Sequence, residues 1–84
     1  MNTLNNQLHA TAVMTNLEVL RFRLTIAAAS VEQACAAMAA GHQNLAIGSI
    51  FDLKETLPEC DALLRATFVL HRMRAPNVQE GGAQ

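Results

Sequence analysis

The stretch NLEVLRFRLTIAAASVEQACAAMAA, Asn16 to Ala40, decides the fold. Within it Leu17, Leu20, Leu24, Ala27, Val31, Ala34 and Met38 recur at alternating steps of three and four, the spacing of one face of an α-helix. Beyond Gly41 the pattern repeats: Ala46, Ile50, Leu53, Leu57, Cys60, Leu64, Thr67 and His71 follow the same steps. Two long amphipathic helices joined at a turn predict an antiparallel helical hairpin and an all-α fold.

Punctuation along the chain agrees. Gly41 can take the left-handed conformation that ends helices, and His42-Gln43-Asn44 reads as a short polar turn. Asn44 is one candidate cap for the second arm, and Ser49 with Asp52 three residues on is another. Pro58 interrupts that arm. A proline inside a helix removes a backbone donor and clashes with the preceding turn. The helix either breaks there or continues through a kink. Leu53, Leu57, Cys60 and Leu64 keep one phase across Pro58, which favours a kinked but continuous helix from Ser49 or earlier to Arg74. At the N-terminus, Thr15-Asn16-Leu17-Glu18 fits a capping box, while Leu4, Leu8 and Ala12 are spaced for a helix that begins as early as Thr3. Residues 1–74 are thus read as one hairpin domain, with residues 1–15 an N-terminal extension that either reading, helix or loop, accommodates. The polar, glycine-containing end, residues 75–84, reads as a disordered tail.

The chain has 84 residues, 51% of them hydrophobic but only 4% aromatic. That length gives room for a single small domain, and a core of this size is marginal when folded alone. A net charge of −1 supplies no long-range attraction to nucleic acid or to an anionic membrane. The most apolar segment, Ile26 to Ala40, is short and carries Glu32 and Gln33, so no membrane span is expected. The N-terminus lacks a basic region followed by an apolar run, and the expected compartment is the cytoplasm. In a hairpin turning near His42, Cys35 and Cys60 stand about 15 Å apart along the axis, too far for an intrachain disulfide. They read as two buried thiols acting as small hydrophobes. An intermolecular bridge or a redox role is the alternative.

Beside its main stripe the first helix carries a second apolar row, Val19, Phe22, Ile26 and Ala29. The second arm adds Leu63, Ala66, Leu70 and Met73, with Phe68 and Val69. A lone hairpin needs one apolar stripe per helix. The excess predicts either that the N-terminal segment folds back over it or that the chain associates, two hairpins forming a dimeric four-helix bundle. Leu20, Leu24, Leu53, Leu57 and Leu64 are the expected core. The expected protein interface is Val19, Phe22, Ile26, Phe68 and Leu70, rimmed by Arg21, Arg23 and Arg65.

No catalytic chemistry is legible. His9, His42 and His71 are not spaced as ligands of one metal, and His71 reads as a capping or interface residue. The carboxylates form no isolated pair. No phosphate-binding glycine loop or nucleophile motif is present. The arginines lack a helix-turn-helix or stacking aromatics. The sequence therefore predicts a non-enzymatic protein with no metal or cofactor, a homodimer that binds or inhibits another protein as an adaptor, antagonist or phage-type inhibitor. A structural or assembly subunit is an alternative, and a nucleic-acid-binding regulator a weaker one. The opening Met1-Asn2-Thr3-Leu4-Asn5-Asn6-Gln7-Leu8-His9 followed by a helical hairpin resembles the small co-chaperones of type III secretion systems. That resemblance implies pairing with a second chaperone to hold a needle subunit.

Overall fold

A computed structural model describes residues 2–73; the predicted tail, residues 75–84, and the predicted helix end at Arg74 lie outside the described residues. Three helices follow in order: α1, Asn2–Ala39; α2, Gln43–Ser49; and α3, Leu53–Met73. The architecture is all-α: α1 is one arm of a hairpin, and α2 with α3 forms a bent second arm packed along it.

α1 is uninterrupted over 38 residues. Thr15 is therefore mid-helix and caps nothing, and the N-terminal segment extends the arm instead of folding back. The sequence from Leu4 to Met14 supplies alanine, leucine and methionine between its asparagines, enough to propagate a helix already nucleated beyond Thr15. α1 ends as its glycine predicts. Gly41 has φ +83°; its N–H donates to the Met38 carbonyl at 2.9 Å, and the His42 N–H donates to the Ala37 carbonyl at 2.8 Å. This pair of bonds is the Schellman arrangement, which satisfies carbonyls that the helix end would otherwise leave unpaired. The position that caps α2 belongs to His42, not Asn44, and no side chain caps it.

The bend in the second arm lies at Ile50–Asp52, ahead of Pro58. There the backbone runs on three-residue bonds, Ile50 N–H to Ile47, Phe51 N–H to Gly48, Leu53 N–H to Ile50 and Lys54 N–H to Phe51. Such bonds tighten the chain into a turn between helices. Lys54 Nζ stands 5.0 Å from the centre of the Phe51 ring over this turn. Ser49 does not start a helix; its hydroxyl donates back to the Leu45 carbonyl at 2.9 Å. Instead the Asp52 carbonyl accepts from Glu55 and Thr56 N–H and opens α3. The single helix expected from Ser49 or earlier is thus two, because Gly48 and the Ile50–Asp52 turn end one before the other begins. α3 is unbroken through Pro58.

The hairpin measures 59 × 21 × 14 Å. Its radius of gyration is 18.6 Å, where a compact domain of this length has about 12 Å. The smallest dimension is little more than one helix diameter, so the described chain is one layer thick.

Candidate functional site: two exposed apolar faces

The line of contact between the arms is built from small and polar side chains. On α1, Asn6, His9, Val13, Asn16, Leu20, Arg23, Ala27, Ser30, Ala34 and Ala37 are buried or half-buried, again at steps of three and four. On the second arm Ala46, Leu53, Thr56, Cys60, Leu63, Thr67 and Leu70 face them. Among the described residues the buried ones are Ala27, Ala34, Ala37, Ala46, Cys60 and Thr67, none larger than threonine. Alanines let two helices approach closely, near the short end of the usual 8–10 Å, but each methyl buried contributes only about 0.8 kcal/mol. The Thr67 hydroxyl is satisfied by its own helix, donating to the Leu63 carbonyl at 2.7 Å. Arg23 Nη1 meets Glu59 Oε1 at 2.6 Å across the arms. This partly exposed ion pair fixes register more than it adds stability.

This seam changes the expected core. Of the five leucines assigned to it, Leu20 and Leu53 are half-buried, while Leu24, Leu57 and Leu64 are 45%, 50% and 41% exposed. Each stripe is in fact two rows. Leu20, Ala27 and Ala34, with Leu53, Cys60 and Thr67, enter the seam. Leu17, Leu24, Val31 and Met38, with Leu57, Leu64 and His71, stand beside it in solvent. Members of each outer row are seven residues apart, nearly two full turns, so each row holds one side of its helix. Both rows lie on the same side of the hairpin. At the open end Ala10, Met14 and Leu17 line one depression with Leu70 and His71. At the turn end Val31, Cys35 and Met38 line another with Ile47, Ile50 and Leu53. Cys60 is buried as expected, but Cys35 is exposed on this face, one turn from Val31. Both cysteines are free.

The opposite side carries the second row. Val19, Phe22, Arg23 and Ile26 border a shallow depression with Thr56, and Phe22 is 66% exposed. The residues expected to form one interface are therefore divided. Val19, Phe22, Ile26 and Arg23 come together. Leu70 sits in the seam at the open end. Arg21 is one turn from Leu17 and Phe68 one turn from Leu64, so both border the other face. Arg65 points away from both, its Nε donating to Asp61 Oδ2 at 2.9 Å. That hydrogen bond, and then the charge of Asp61, raise the Arg65 pKa above its ordinary value.

Periodicity alone could not separate seam from face, because the seam recruits polar residues that carry no hydrophobic signal. The usable signal was the exact heptad spacing of Leu17, Leu24, Val31 and Met38, which the intervening alanines obscured. Among the described residues no group of three or more histidines, cysteines or carboxylates could hold a metal ion, and no helix is long and apolar enough to cross a membrane. No family model, no curated protein and no solved structure matches the chain.

Proposed function

We propose that this chain is a non-enzymatic interaction module: it dimerises as a four-helix bundle and binds, or inhibits, another protein. The observation that carries the reading is the inversion of its packing. Among the described residues the buried side chains are alanine, cysteine and threonine, while most of the leucines, phenylalanines, isoleucines and methionines are more than 40% exposed. Isolated hydrophobes on a surface need no explanation, but contiguous apolar faces mark association sites. Two hairpins that share a core become two layers thick and bury what one cannot. The row Val19, Phe22 and Ile26, with Arg23 at its edge, is the surface for the other protein: large apolar anchors beside an arginine are the composition of interface hot spots.

Two measurements test this. Light scattering at micromolar concentration is expected to give twice the mass of one chain; a fully helical monomer overturns the self-association. Capture from the native host with immobilised protein is expected to recover a protein that Phe22→Glu loses while helicity is kept. Equal recovery by Phe22→Glu overturns the assignment of that row.

A further inference from the structure

We infer that the face of Leu17, Leu24, Val31, Met38, Leu57 and Leu64 is the seat of a second copy of this chain, packed antiparallel about a two-fold axis that crosses the middle of the hairpin. This rests on the proposed self-association and assigns it a surface and a register. Two features support a second copy as the occupant.

The first is self-complementarity. α1 spans Asn2–Ala39, so its midpoint falls between Leu20 and Arg21. Leu17 and Leu24 stand at equal distances on either side of that midpoint. A two-fold axis there lays Leu17 of one copy against Leu24 of the other, and Val31 against Ala10. The Arg23–Glu59 pair sets the height of α3 beside α1, bringing Asp61 and Ala62 level with the same midpoint. The point midway between Leu57 and Leu64 lies one residue, about 1.5 Å, from that level. One axis therefore sets Leu17 against Leu24 and brings Leu57 to within about one turn of Leu64 of the other copy, the self-matching an isologous interface requires.

The second is area. Leu17, Leu24, Val31, Met38, Ile47, Leu57 and Leu64 are between 41% and 55% exposed. At ~150–200 Å² per side chain they offer about 600 Å², close to the ≈800 Å² per partner of a standard stable interface. Met14 and Phe68, both 53% exposed at the border, extend it.

The dimer so formed buries the Leu17–Leu64 side and leaves Val19, Phe22 and Ile26 outward on both layers. It presents two equivalent copies of the surface assigned to the other protein.

Leu24→Glu is expected to halve the mass seen by light scattering, and Phe22→Glu to leave it doubled. A dimer that Phe22→Glu dissociates and Leu24→Glu does not overturns this seat while sparing the interaction-module reading; a monomeric wild type overturns both. In case Leu24→Glu does not fold, a second measurement uses single cysteines in a background with Cys35→Ser and Cys60→Ala. Leu17→Cys mixed with Leu24→Cys is expected to form a covalent dimer on oxidation. Either variant alone is expected to form none, since like residues stand about 10 Å apart along the axis. Cross-linking of Leu17→Cys with Leu64→Cys instead overturns the antiparallel register, and failure of every mixture of a dimeric protein to cross-link overturns the face.

Discussion

Gly41 and Gly48 are seven residues apart and act in opposite senses. Gly41 holds φ +83° with open space where a Cβ would sit, so Gly41→Ala meets no clash and bears only the backbone cost, about 1–2 kcal/mol lost. Gly48 also has open space around it but stands in α2 without a positive φ. Gly48→Ala should therefore gain about 0.5–1 kcal/mol by restricting the unfolded chain and favouring helix. Chemical denaturation of the two variants checks the opposite signs. Pro58 is a residue whose cost the fold tolerates. As the sixth residue of α3 it leaves the Lys54 carbonyl without its helical donor. Pro58→Ala should raise stability by about 1–3 kcal/mol, seen as a higher thermal midpoint. Gly41 was legible in the sequence because a single backbone angle explains it. Pro58 was legible as an interruption, yet the bend went to Ile50–Asp52, where glycine and a run of three-residue bonds offered a cheaper break.

Among elements, the seam is the decisive feature. Ala34, Ala37 and Ala46 form its tightest part, with Ile50 packed against them. Enlarging one member must push the arms apart, so Ala34→Leu should lose about 1–3 kcal/mol despite adding apolar surface. A lowered denaturation midpoint, with helicity retained in the folded baseline, checks this. The polar end of the seam behaves differently. His9 Nδ1 and Arg23 Nε are shielded from solvent without a hydrogen-bond partner among the described residues. Each such atom costs stability that the alanines scarcely offset. Weak apolar burial and imperfect polar pairing leave the arms with few strong contacts to each other, the deficit that the proposed dimer would make good.

At the scale of the whole molecule, a layer one helix thick cannot enclose side chains on two sides. If the chain is a dimer, its stability belongs to the assembly and depends on concentration. The thermal midpoint is expected to fall on dilution from high to low micromolar protein; a midpoint independent of concentration contradicts a folding-linked dimer.

From the residues alone one can read that the chain is helical, where α1 ends, and that more apolar surface exists than one hairpin uses. Those conclusions follow from local rules: helix period, the conformational freedom of Gly41 and the count of apolar rows. How each stripe divides follows from the packing of the arms in three dimensions. Which of Leu20 and Leu24 faces the other arm depends on the rotation of α1 about its own axis. That rotation is set by small residues that allow close approach, Ala27, Ala34 and Ala46, and by the cross-arm pair Arg23–Glu59. A hydrophobic pattern records that Leu17, Leu24, Leu57 and Leu64 avoid water, but not what shields them. The geometry turns them away from the partner arm, because alanine, not leucine, permits the closest contact between two helices.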